Sequence, residues 1–471
     1  ATLLIAYLSL ASSDFASAPS RKRPQTPIML RRLTARSLQG FARRANSNAV
    51  WSEARQTAAA AEIAAKGAAA NVEFFQFSFV DLFGVQRSKL VPASRVGEMA
   101  EGGAGFGGFA AWLDQDPSMG DLLAMPDPST LTPLPWNPRV GWLSCDLVWQ
   151  GAELDQGPRN VLRKTLRSLE ARGLAMKTGV ECEFFLVDAD GSAPADAADV
   201  QVKPCYDAHA LLRRFDVISE MMEAMEALGW GPYQADHEDA NGQFEINWDF
   251  DDALKTADRV VFFKYMARSV AEKHGLRATF MPKPFQNLTG SGCHAHVSLH
   301  DAGTGKNVCS GDGALGLSDA ARHFVAGVLG DAPALAALTN PTVNSYKRLN
   351  AANTTSGATW SPNAATWAGN NRSSLIRVPD DKRFEVRLAD MSTNPYLHAA
   401  SIAAAGLGGL DAAAEPPAPA LGLNLFDPSS AEVRAALEAA KKLPTSLGPA
   451  LDALDASATL RGGLGDDFVD A

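Results

Sequence analysis

Cysteine is scarce: the five in 471 residues (Cys145, Cys182, Cys205, Cys293, Cys309) form no C-x-x-C pair. That excludes a zinc ribbon, gives no disulfide framework, and suits a reducing compartment. No apolar run is long enough to cross a bilayer, and mean hydropathy is -0.10, so no membrane association is read. The G-x-x-x-x-G-K-[ST] phosphate loop is missing, so any nucleotide must be held on another scaffold. Gly103-Ala104-Gly105-Phe106-Gly107-Gly108 matches G-x-G-x-x-G in form only. It follows Glu98-Met99-Ala100-Glu101 instead of a β-rich run and opens no helix of a βαβ unit, so dinucleotide binding is not indicated.

Acids are almost absent from residues 1–50, where eight Lys/Arg face only Asp14, although the whole chain has a net charge of -10. The body is therefore acidic, which argues against a nucleic-acid partner. A phosphate ligand would need focused arginines or a divalent cation. Residues 1–50 start apolar (Leu3 to Leu10), pass through Ser/Ala-rich sequence and become rich in Arg and Ser. Such a segment resembles an organellar transit leader, plastid or mitochondrial, with a cytoplasmic protein bearing an addressless extension as the alternative.

What is present reads as α+β. Residues 51–157 hold strand signals: Val72 to Val80 is rich in β-formers, Asp81 to Gly84 turns, Val85 to Val91 returns, and Arg139 to Glu153 suggests another strand and hairpin. From Pro158 helices alternate with strands. Pro158 suits a first helical turn with Gly173 as its stop, and further helices are predicted over 211–228, stopped by Gly229, and over 253–274, stopped by Gly275. Residues 158–471 are thus expected to form a second, larger domain.

Three of its strands share an unusual pattern. Gly179 to Val187 is apolar except for Glu181 and Glu183, which point to one side because strand side chains alternate. Gly292 to Leu299 places His294, His296 and Ser298 on one face, and Arg383 to Leu388 does so with Arg383, Glu385 and Arg387. Each alone reads equally as a solvated edge or an ion-pair ladder. Recurrence favours one shared cavity in which the groups compensate one another. The stretch Asp236 to Glu245, read as a loop, adds further carboxylates, including Glu238. A set so rich in oxygen suits Mg²⁺ or Mn²⁺ better than zinc, and the arginines of residues 348–387 suit phosphate or carboxylate.

In this order, several segments resemble the glutamine synthetase superfamily: Phe79-Val80-Asp81-Leu82-Phe83-Gly84-Val85, Met125-Pro126-Asp127-Pro128-Ser129-Thr130, Glu181-Cys182-Glu183-Phe184-Phe185, Gly290-Ser291-Gly292-Cys293-His294-Ala295-His296, Asn344-Ser345-Tyr346-Lys347-Arg348-Leu349, Asn371-Arg372-Ser373 and Asn394-Pro395-Tyr396-Leu397. The resemblance spans about residues 72–470. It implies a small β-grasp-like N-terminal domain, a catalytic domain built on an antiparallel, barrel-like sheet, and a homo-oligomer of stacked rings, a dodecamer first and a decamer second. It also implies two or more Mg²⁺ or Mn²⁺ per site, ATP as co-substrate, and glutamate joined to ammonium or a small primary amine.

Carried over by position, Glu183, Glu238 and Glu245 resemble the ligands of one ion, and Glu181, His294 and Glu385 those of the other. His296, Ser298, Arg377 and Arg383 resemble ATP contacts, and Gly290, Arg348 and Arg387 the glutamate site. Arg372 resembles the catalytic group that steadies the transferring phosphoryl. Two positions depart from the ammonia-using pattern. Gly107 stands where an Asp is usual, and Thr354 where a Glu is usual. Their surroundings, including Trp112 and Trp360, resemble the branch holding type III-like glutamine synthetases and γ-glutamylmethylamide synthetase. A non-catalytic relative that keeps the fold is the rival reading.

Overall fold

The structure, a computed structural model, describes residues 52–113, 115–351 and 354–471. The leader expected at 1–50 lies outside them. Seven strands lie between residues 74 and 153: β1 (Phe74–Val80), β2 (Gln86–Pro92), β3 (Ala104–Phe106), β4 (Leu122–Pro126), β5 (Thr132–Leu134), β6 (Asn137–Trp149) and β7 (Ala152–Glu153). They pair in the order β2-β1-β6-β4-β3, with β5 and β7 also on β6. The β1–β2 hairpin is antiparallel, β1 runs parallel to β6, and Phe75, Phe77 and Phe79 enter a core of their own with Leu122, Leu143 and Leu147. The glycine-rich stretch dismissed as a dinucleotide loop forms β3 and a turn of 3-10 helix.

A second sheet of nine strands carries the candidate site: β8 (Leu174–Val187), β9 (Pro232–His237), β10 (Gln243–Trp248), β11 (Asp251–Asp252), β12 (Arg277–Thr279), β13 (Cys293–Asp301), β14 (Trp367–Ala368), β15 (Ile376–Asp380) and β16 (Arg383–Val386). Its order is β14-β15-β16-β13-β8-β10-β9, with β11 and β12 paired to β8, and among the described residues no strand pairing joins it to the first sheet. This is the expected α+β class, with a nearly closed, barrel-like, mainly antiparallel sheet.

The helix predicted from Pro158 is α1 (Pro158–Glu170), and that over 253–274 is α2 (Ala253–Lys273). The single helix expected over 211–228 is two, Ala208–Arg213 and Phe215–Ala227, each ended by its own cap. Later come α3 (Asp319–Thr339), α4 (Val343–Leu349) and α5 (Pro395–Asp411). Helices α3 and α5 cross in close contact, because a Cβ at Gly327 would stand 2.1 Å from the Ala405 carbonyl and one at Gly409 2.1 Å from that of His323. Strand alternation does the rest: Cys182, Phe184, Ala295 and Val297 face the helix-covered core, which leaves Glu181, Glu183, His294 and His296 for the opposite face.

Candidate active site

Register turns the three sequence patterns into one continuous polar row. On β8, Glu183 stands opposite Glu245 of β10, which in turn stands opposite Asp236 of β9. Glu181 faces His294 of β13, and His296 faces Glu385 of β16, itself opposite Arg377 of β15. The structure therefore brings all six carboxylate and imidazole candidates onto adjacent strands, or, for Glu238, just past the end of β9.

Two clusters form. Glu181, His294 and Glu385 can each offer a ligand atom within 4.8 Å of the others, and so can Asp236, Glu238 and Glu245. The first trio is the set the sequence suggested. The second joins Glu238 and Glu245 of the other expected set to Asp236, and Glu183, the third residue of that set, stands opposite Glu245. Glu183 lies beside it with its Oε2 accepting from Gln243 Nε2 at 2.7 Å and from the Gly292 amide at 2.8 Å. Asp236 was legible in principle, since Asp236 and Glu238 repeat the i, i+2 spacing; the segment read as a loop because its neighbours are polar, yet residues 232–237 are a strand.

The two clusters have opposite electrostatics. Burial works against ionising Glu181, but bonds from His296 Nε2 (2.9 Å) and His294 Nδ1 (3.1 Å) hold its carboxyl well below the usual range. Burial opposes Glu385 as well, and Arg387, at 2.6 Å, keeps its carboxyl low; Arg377 sits 2.8 Å away. The other trio has no ion-pair partner among the described residues. Burial, with Glu181 and Glu183 adding to it, pushes Asp236 up to about 6. Glu238 and Glu245 are raised as well, by burial first and by neighbouring carboxylates next. Two unit charges about 5 Å apart repel by roughly 3 kcal/mol at an effective dielectric near 20, so the trio calls for a cation.

The donors present fit a divalent metal ion. His294 Nε2 and Asp236 Oδ1 are buried with no hydrogen-bond partner among the described residues. A Cβ at Gly292 would lie 2.7 Å from both His294 Nε2 and Glu183 Oε1, so only glycine leaves this cradle open. Carboxylates with one imidazole match Mg²⁺ or Mn²⁺ chemistry.

The remaining candidates surround the row. Arg383 Nε donates to His296 Nδ1 at 3.2 Å, and Ser298 Oγ lies 3.0 Å from His300 Nε2. Arg377 Nε donates to Asn370 Oδ1 at 2.8 Å. Gly290 packs where a Cβ would stand 2.3 Å from the Pro282 carbonyl and 3.1 Å from Arg348 Cγ. Arg348 is buried, donates to the Leu388 carbonyl at 3.1 Å, and makes no ion pair among the described residues; burial lowers its pKa, against the pull of Asp390 and Glu183. Arg372 lines a cleft of about 1000 Å³ with Trp360, Asn371, Leu423 and Phe426, and it too has no ion-pair partner among the described residues. Beside a row of excess carboxylate, the site thus keeps two arginines that make no ion pair among the described residues.

The glutamine synthetase catalytic-domain family matches residues 155–471, two thirds of the chain. The chain belongs to the glutamine synthetase family. It is an ATP-dependent, C–N bond-forming enzyme of that family. It is 51% identical over 402 residues to a glutamine synthetase of Rhizobium leguminosarum bv. phaseoli, covering 85% of this chain and 91% of the relative. It is 42% identical over 409 residues to a glutamate–methylamine ligase of Methyloversatilis universalis, covering 84% and 91%. A solved GmaS/ADP complex superposes with a TM-score of 0.82 at 53% identity, over 87% of this chain and 94% of that one. These relatives give the organellar address no support, since Rhizobium species are bacteria.

The two positions that set this glutamine synthetase relative apart can now be placed. Gly107 lies in the first sheet's region, its Cβ position facing the Phe109 ring. Thr354 Oγ1 bonds within its own loop, to the Ala358 carbonyl and 3.2 Å from Ser356 Oγ. Trp112 stacks edge-on with Phe83, while Trp360 stands beside Arg387.

Proposed function

We propose that this enzyme phosphorylates the γ-carboxylate of glutamate with ATP and condenses the product with a small primary amine, using ammonium less well. The carrying observation is the site's paired incompleteness: among the described residues, the carboxylates of half-buried Asp236 and Glu238 and of buried Glu245 make no ion pair, and neither do the guanidinium groups of Arg348 and Arg372. Divalent cations held by Glu181, His294 and Glu385, and by Glu238 and Glu245 with Glu183 or Asp236, would neutralise the nucleotide's phosphates. Arg348 and Arg387 hold the carboxylates of glutamate, with Gly290 giving the backbone room to approach. His296, Ser298, Arg377 and Arg383 orient the ATP, and Arg372 steadies the charge that spreads over the transferring phosphoryl. The γ-carboxylate oxygen attacks the γ-phosphorus in line, ADP leaves, and the γ-glutamyl phosphate is consumed when an uncharged amine displaces phosphate.

The acceptor follows from what is missing. Holding and deprotonating ammonium needs anionic oxygens, and Gly107 and Thr354 supply none. The relatives include both glutamine synthetases and a glutamate–methylamine ligase, so both acceptors are in the family's range. Comparing kcat/KM for methylamine and ammonium at fixed glutamate and ATP tests the reading. A preference for ammonium of a hundredfold or more, about 2.7 kcal/mol in transition-state terms, overturns it.

The same reading includes a β-grasp-like domain over 51–157, a catalytic domain over 158–471, a cytoplasmic location, and a ring-shaped homo-oligomer, a dodecamer first and a decamer second. Exposed aromatic groups on the first sheet's side, Phe83, Phe109 and Trp112, support a contact between copies there. Light scattering showing a fully active monomer would count against it.

A further inference from the structure

A buried carboxylate beside the second cluster belongs to neither cluster and bonds to neither of them through its side chain. Asp239 follows Glu238 and is 7% exposed, yet it has no ion-pair partner among the described residues. Instead a single oxygen, Oδ2, accepts three side-chain bonds: from Ser356 Oγ at 2.6 Å, Trp360 Nε1 at 2.7 Å and Thr289 Oγ1 at 3.1 Å. Two of these donors belong to the loop 354–360, which also carries Thr354. Trp360 is held through its backbone too, since Arg387 Nη2 donates to the Trp360 carbonyl at 3.4 Å while Arg387 Nη1 donates to Glu385.

The backbone in this loop is not relaxed. Trp360 sits in the left-handed region at φ 54°, costly for a bulky residue. Strain of this kind persists only where surrounding contacts over-determine it. Here the contacts are an indole N–H bonded to a buried carboxylate and a carbonyl bonded to a site arginine. The result is an aromatic ring that stays 38% exposed, lines the cleft shared with Arg372, and is fixed at its polar edge.

We propose that Asp239 is a positioning residue for the acceptor amine: by gathering Thr289, Ser356 and the Trp360 indole on one oxygen, it fixes the 354–360 loop so that the Trp360 ring forms the wall against which a small alkylammonium packs. This rests on the amine-ligase reading and adds to it the residue that sets the acceptor's fit. The carboxylate acts through the loop and takes no part in phosphoryl transfer. A ring face also attracts a cation, so an alkylammonium gains both apolar contact and cation–π attraction there.

The test uses the full-length enzyme and separates acceptor from donor kinetics. The wild type is first assayed for γ-glutamyl amide formation with methylamine; failure there sinks the amine reading before any variant is made. With activity present, or with ammonium as acceptor if only that is used, Asp239→Ala is expected to raise the acceptor KM at least tenfold and leave KM for glutamate and ATP within threefold. Asp239→Asn keeps an acceptor for the indole and is expected to stay within threefold of wild type. Trp360→Phe keeps the ring, loses the N–H, and should fall between. If Asp239→Asn proves as damaging as Asp239→Ala, the negative charge itself is what matters and the positioning role is wrong. Equal KM changes for all three substrates, or a lowered melting temperature with unchanged KM values, also overturn it. Should Asp239→Ala fail to fold, Ser356→Ala and Trp360→Phe carry the same comparison one donor at a time.

Discussion

Arg159 holds Asp258 with both arms of its guanidinium, Nε to Oδ1 and Nη2 to Oδ2, each at 2.9 Å. The same arginine reaches Asp146 of β6 at 2.6 Å and Asp127 at 2.9 Å, so helices α1 and α2 are tied to the first sheet through one buried cation. Tyr396 of α5 completes the knot, its hydroxyl 2.7 Å from Asp258 and 2.9 Å from Ser144 Oγ. Removing Arg159 leaves the buried Asp146 and Asp258 undercompensated. Arg159→Ala should cost about 3–5 kcal/mol, and Arg159→Lys should recover little because a lysine cannot fork. Chemical denaturation measures both; a loss below about 1 kcal/mol in Arg159→Ala would contradict the account.

The same knot gives stability an acid limb. Burial opposes the charge on Asp127, but Arg159, Ser129 and Arg163 outweigh it and hold the carboxyl below the ordinary aspartate range. A group whose pKa is depressed on folding contributes stability that is present above its unfolded value, near 3.9, and is lost as pH falls towards the folded one. Denaturation midpoints should therefore drop below about pH 4, and Asp127→Asn should flatten that limb while lowering stability at pH 7. An unchanged slope in the variant would assign the acid lability elsewhere.

The trio Asp236, Glu238 and Glu245 repels itself without a cation. Enzyme stripped with a chelator should gain several degrees in melting temperature on adding Mg²⁺. Glu245→Gln should melt higher than wild type when metal-free and respond less to Mg²⁺. If the stripped variant is no more stable than the stripped wild type, repulsion is not what the metal relieves.

Gly292 has an ordinary backbone angle, so alanine is conformationally allowed there; the obstacle is the 2.7 Å approach to Glu183 Oε1 and His294 Nε2 and the 3.0 Å approach to Arg348 Nη2. Gly292→Ala should therefore lose at least a hundredfold in turnover with its melting temperature within a few degrees of wild type. Retained activity would mean that the cradle does not need to be open.

Alternation along single strands is a local property, so the sequence by itself determined that Glu181 and Glu183, His294 and His296, and Glu385 and Arg387 each share a face. The apolar partners Cys182, Phe184 and Ala295 determined that the opposite face is core. Helices that start at Pro158 and Ala253 were legible from the proline and from the glycines that follow each helix, because caps act within one turn. Which strands neighbour which was settled only by tertiary structure. The placement of Glu181 opposite His294, and of Asp236 opposite Glu245, depends on pairings between segments some 10 to 110 residues apart. Those pairings decided that Asp236 joins Glu238 and Glu245 while Glu183 turns to Gln243 and Gly292. They also decided that Asp239 meets Trp360 across more than a hundred residues. No spacing rule reaches that far, since such contacts exist only once a hydrophobic core has fixed the register of the sheet.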